Sequence, residues 1–147
     1  QPTRDADRLR RHLQEDARAS VTDMTSAYAV LALMGPKAPG ILAKVSRAAL
    51  DDKTFPFGGV REIDLGYATV LAVRRSYVAE RGFELYVPTE CAVTVYETLM
   101  EAGAGEGLVD AGYYALDALR IEKGYRAWGR ELTPDVTPYE AGLGFAV

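Results

Sequence analysis

Glu84, Arg120 and Tyr77 are the side chains whose type and setting could do chemistry. Glu84 sits in Phe83-Glu84-Leu85-Tyr86-Val87. On a strand, this alternation sends Phe83, Leu85 and Val87 to one face and Glu84 with Tyr86 to the other. That second face is either solvated, or it sets a carboxylate beside an aromatic, able to accept two adjacent N–H donors of a ligand. Arg120 lies in Asp117-Ala118-Leu119-Arg120-Ile121-Glu122-Lys123-Gly124. It is either one half of an i, i+3 surface pair with Asp117, worth ~0.2–0.5 kcal/mol, or a planar fork of donors turned into a site. Tyr77 follows Arg75-Ser76 at a strand end. A Tyr there is a packed amphipathic residue or a pocket wall.

Other chemistry finds little support. Cys91 is the single cysteine and His12 the single histidine, too few for a conventional zinc site or an internal disulfide. Gly103-Ala104-Gly105-Glu106-Gly107 follows a helix and lacks Gly-Lys-Ser/Thr, so it reads as a helix exit and not a phosphate loop. There is no Gly-x-Ser-x-Gly elbow. Trp128 reads as the anchor of a long loop.

The elements that must position these residues follow from periodicity. Thr3 to Glu15 predicts a short helix with Leu9 and Leu13 four apart, and Val21 to Met24 reads as a strand. Tyr28 to Met34 is a continuous apolar run, predicting an inner strand covered on both faces. Pro36 or Pro39 opens a helix whose buried stripe is Ala38, Ile41, Leu42 and Val45. After a loop from Asp51 to Gly59, strands at Val60–Leu65, Ala68–Arg75 and Phe83–Val87 predict an antiparallel meander turned at Gly66. Ala92, Val95, Tyr96 and Leu99 give the next helix an apolar face.

A last helix runs from an Asp110 N-cap to Gly124, with Leu116, Leu119 and Lys123 on one stripe and Tyr113, Asp117 and Arg120 on the next. Tyr125 to Gly144 is then a loop long for a compact domain, and such loops tend to be functional. The expected class is α+β: a mainly antiparallel sheet with helices packed on one side.

Bulk properties narrow the function classes. At 147 residues the chain is one domain's worth, and 48% hydrophobic with 26% charged residues is the balance of an ordinary globular protein. A net charge of −4 argues against a nucleic-acid surface, which needs a basic field. No apolar run approaches the ~18 residues of a membrane span, and no signal peptide opens the chain, so the cytoplasm is the expected compartment. With no initiator Met and a Gly142-Leu143-Gly144-Phe145-Ala146-Val147 end that reads as the start of an apolar strand, the chain is expected to be a piece of a longer one. An exposed apolar patch should then serve self-association or contact with further sequence.

Two blocks carry a resemblance. The first is Gly82-Phe83-Glu84-Leu85-Tyr86-Val87-Pro88. The second is Ala118 to Gly124 with Trp128-Gly129-Arg130-Glu131-Leu132-Thr133-Pro134 and Thr137-Pro138-Tyr139-Glu140-Ala141-Gly142-Leu143. They resemble the tetrahydrofolate-binding glycine-cleavage T-protein (aminomethyltransferase) family, and more narrowly the folate-binding portion of dimethylglycine and sarcosine dehydrogenases. The resemblance implies a single folate-binding domain over residues 1–147, with ferredoxin-like elements.

It also implies that Glu84 is the pterin-binding acid, that Arg120 belongs to the folate pocket as a donor to the pterin's polar edge, and that Tyr77 lines that pocket. At Tyr77 the chain departs from the family, with Val78-Ala79 in place of Thr-Gly. The family's catalytic Asp has no counterpart here, since none of Asp5, Asp7, Asp16 or Asp23 sits in a matching motif; it is expected outside this chain. No flavin motif is present, so FAD would belong to a further domain of a dehydrogenase. The implied function is folate-dependent one-carbon transfer, in which the protein supplies positioning and electrostatics. The alternative is a non-catalytic folate-binding or regulatory relative. One such branch, linked to iron–sulfur protein maintenance, has a Cys after Lys-Gly, where this chain has Tyr125. A ferredoxin-like ligand-sensing domain would explain neither block.

Overall fold

The computed structural model describes residues 2–147. Four strands form one wholly antiparallel sheet: β1 (Tyr28–Met34), β2 (Val60–Leu65), β3 (Ala68–Val73) and β4 (Gly82–Pro88), in the order β1-β4-β3-β2. Among the described residues four α-helices accompany them: α1 (Pro2–His12), α2 (Ala38–Val45), α3 (Ala92–Gly103) and α4 (Tyr113–Glu122). The class is α+β, as expected.

The alternation in β4 works as read. Phe83, Leu85 and Val87 are fully buried beside Leu33 of β1, Ile63 and Leu65 of β2, and Val70 and Ala72 of β3. Ala38, Ile41 and Leu42 of α2, with Val95 and Leu99 of α3, close this core from the same side. Side chains on the other face remain open: Val30 of β1 is opposite Tyr86, which is opposite Leu71 of β3. In the next row Ala32, Glu84, Val73 and Val60 run across the sheet.

Several expectations need correction. β1 is a strand, but an edge one paired only with β4, and its outward Val30 is 52% exposed. The apolar run fails as an inner strand because both core helices lie on one face of the sheet. Val21 to Met24 forms no strand. Asp23 accepts from the amide and hydroxyl of Thr25 (2.9 and 2.6 Å), which bends the chain into a 3-10 turn at Thr25–Ala27.

α1 forms, yet buries nothing. Tyr96, expected on the apolar face of α3, is exposed, and its hydroxyl donates to Asp110 at 2.8 Å. Asp110 is therefore not the cap of α4, whose N-cap is Gly112. The last residues make a 3-10 turn at Gly144–Ala146 instead of beginning a strand. Among the described residues, no helix is long and apolar enough to cross a membrane.

Candidate functional site

Strand alternation turns Glu84 to the open face, but its neighbours shield it, and its side chain is only 19% exposed. One carboxylate oxygen, Oε2, faces both the Tyr86 hydroxyl at 3.4 Å, a weak bond, and Arg75 Nη1 at 3.8 Å. Among the described residues, Oε1 accepts no hydrogen bond. The setting is a half-shielded carboxylate on an apolar floor, with acceptor capacity to spare.

Arg120 has the opposite character. It is the one buried residue of α4, 2% exposed, while Leu119 on the neighbouring stripe is 43% exposed. Its Nε donates to Asp117 at 2.7 Å. Nη1 donates to the Tyr125 carbonyl and to Glu131 Oε2, both at 2.8 Å, and Nη2 to Glu131 Oε1 at 3.3 Å. Glu131 Oε2 also accepts from the Ala127 amide at 2.8 Å, and Arg130 pairs with the other oxygen of Asp117.

The fields follow this geometry. The Ala127 N–H, then the Arg120 guanidinium, hold the Glu131 carboxyl down to about 2. Hydrogen bonding to Arg120 keeps Asp117 below the usual carboxylate range, and the Glu131 carboxylate raises Arg120 further.

Tyr77 joins this cluster to the sheet. It lies in the connection from β3 to β4, and its ring stacks on Tyr125 with centroids 5.9 Å apart and planes 7° apart. Its hydroxyl donates to the Arg126 carbonyl at 2.6 Å. Gly124, at φ 68°, makes the left-handed turn that carries the chain from α4 into Tyr125. Where the two elements meet lies a cleft of about 210 Å³, lined in part by Phe57, Arg75, Ser76, Ala79, Glu80 and Tyr125. Ala79 is held at φ 56°, a left-handed conformation that costs an L-residue strain. A larger hollow of about 650 Å³, between the end of α2 and β2, contains none of the three candidate residues.

Tyr77 and Arg120 are thus brought together through Tyr125. The polar partners of Glu84 are Tyr86 and Arg75, and Arg75 links it to the cleft. Sequence reasoning overlooked Arg75, Tyr125 and Glu131. A signal existed for Glu131, which lies inside the Trp128-to-Pro134 block. Trp128 is 63% exposed, and its backbone bridges to Leu132 at the loop's own neck.

Comparison with known proteins places the chain in context. The family model described as "GCVT N-terminal domain" matches residues 1–147. The chain is 42% identical to mouse mitochondrial sarcosine dehydrogenase over 131 residues, which is 89% of this chain and 14% of that protein. It is 40% identical to the aminomethyltransferase of Bacillus velezensis over 139 residues, covering 95% of this chain and 37% of the relative. The mouse mitochondrial pyruvate dehydrogenase phosphatase regulatory subunit is 38% identical over 135 residues, 91% of this chain and 15% of that protein. The chain therefore spans well under half the length of each of these relatives.

Proposed function

Because the chain belongs to the GCVT N-terminal domain family, we propose that residues 1–147 are a tetrahydrofolate-binding domain of a one-carbon transfer protein. The observation that carries the reading is Glu84: a carboxylate shielded by the sheet, with one oxygen free, on an apolar floor beside Tyr86. A pterin offers adjacent N–H donors along its pyrimidine edge, and a carboxylate accepts two of them side by side. Val73 and Ala32, the cross-strand neighbours of Glu84, would meet the flat ring, and Tyr77 would close the rim with its partner Tyr125. Arg120 belongs to the wall behind that rim.

The names of the dehydrogenase and aminomethyltransferase relatives fit an enzyme, in which this domain would hold the folate that accepts the one-carbon unit. The regulatory-subunit relative favours a second reading, a folate-binding module without its own turnover. The two separate in one assay: the full-length protein either forms methylene-tetrahydrofolate from a methylated amine or aminomethyl donor, or binds folate without consuming it. We propose the cytoplasm as the compartment; fractionation finding the protein in mitochondria, as in the names of the mouse relatives, would replace that assignment. Calorimetric titration with 5-formyltetrahydrofolate tests the folate reading. Saturable binding that Glu84→Gln weakens supports it, and absence of binding to the full-length wild-type protein refutes it.

A further inference from the structure

We infer that Glu131 and Arg120 are positioning residues: their ion pair withdraws the guanidinium from ligand contact and uses it to hold the Tyr125 ring against Tyr77. For its consequence in binding, this rests on the folate reading above. A guanidinium has five N–H donors. On Arg120, Nε–H goes to Asp117, Nη1 donates to the Tyr125 carbonyl and to Glu131, and Nη2 gives one bond to Glu131. One N–H remains, on a side chain 2% exposed. The bidentate fork that would make an arginine a good reader of a polar ring edge is already occupied.

What the fork grips is the loop. Glu131 closes it from the far end and also takes the Ala127 amide. The bond to the Tyr125 carbonyl fixes that residue directly after the left-handed Gly124. The Tyr125 ring then lies 5.9 Å from Tyr77, whose hydroxyl grips the next carbonyl, that of Arg126. Two carboxylates and a buried cation thus fix the backbone from which the aromatic wall stands.

The test has a ligand-free arm and a binding arm, on wild type, Arg120→Lys, Glu131→Gln, their double variant and Tyr125→Ala, all in the full-length protein. Without ligand, Glu131→Gln should speed amide exchange at Ala127 and Tyr125 by about tenfold or more and reduce the near-UV tyrosine dichroism, with exchange in β4 unchanged. An unaltered tyrosine signal would overturn the inference. In titrations with 5-formyltetrahydrofolate, Arg120→Lys and Glu131→Gln should weaken binding to a similar extent. The double variant should be no worse than either single one, because one unit has been broken. Tyr125→Ala should weaken binding as much while Ala127 stays protected.

Arg120→Lys losing affinity while Glu131→Gln keeps or gains it would make Arg120 a direct ligand contact and refute the positioning role. Wild-type affinity in Tyr125→Ala would refute it too, and would do so even if the charge variants fail to fold. If the wild-type protein binds no folate, the proposed function falls, and the ligand-free arm still decides the positioning role.

Discussion

The Glu131 carboxyl titrates at about 2 in the folded protein against 4.5 ordinarily, through the Ala127 N–H first and the Arg120 guanidinium second. A folded value below the unfolded one contributes stability that is fully present above 4.5 and is lost as pH falls towards 2. The Tyr77–Tyr125 dichroism is therefore predicted to decay across that window, and Glu131→Gln to lack the decay. A decay of the same size and midpoint in the variant would contradict the assignment. At Glu84, exchange for Gln places a donor against ligand donors, and folate binding should weaken by about 2–3 kcal/mol in a calorimetric titration. The face of Glu84 was legible because a strand repeats every two residues and Phe83, Leu85 and Val87 mark the inner side. The partner of Arg120 was not. Asp117 is one helical step away and could be named, but Glu131 comes from a loop with no period, so only folding brings the two together.

At the scale of elements, the connection from β3 to β4 carries both the Tyr77 anchor and the strained Ala79. A Gly at this position would adopt φ 56° without the ~1–2 kcal/mol penalty of an L-residue. Its freer unfolded chain offsets ~0.4–1 kcal/mol. Ala79→Gly should therefore stabilise by about 0.5–1 kcal/mol in urea unfolding; a loss of stability would show that the strain is illusory. The meander and α2 were legible because each combines a clean period with a turn signal at Gly66 or Pro36-Pro39. The helix α4 was legible too, but not which of its faces would be buried, because a stripe is buried only where something packs on it. Leu119 and Tyr114 face outward, and the helix is held by its one buried cation instead.

For the whole molecule, one face of the sheet and much of α4 are bare, with Val30, Val60, Leu71, Tyr113 and Tyr114 exposed. Exposed apolar surface such as the sheet face around Val30 and Leu71 is normally covered by a partner or a ligand. The isolated 147-residue chain is predicted to self-associate with rising concentration in sedimentation velocity, and Val30→Glu to reduce this; a monomer at all concentrations would contradict it. The exposure of β1 was not legible, because its apolar run carries no mark of which side the helices take. On that face the central claim rests on one carboxylate. Titrating 5-formyltetrahydrofolate into the full-length protein, as wild type and as Glu84→Gln, tests it most directly. The account predicts saturable wild-type binding that the variant weakens by about 30-fold or more. Equal affinity in the two proteins would contradict it.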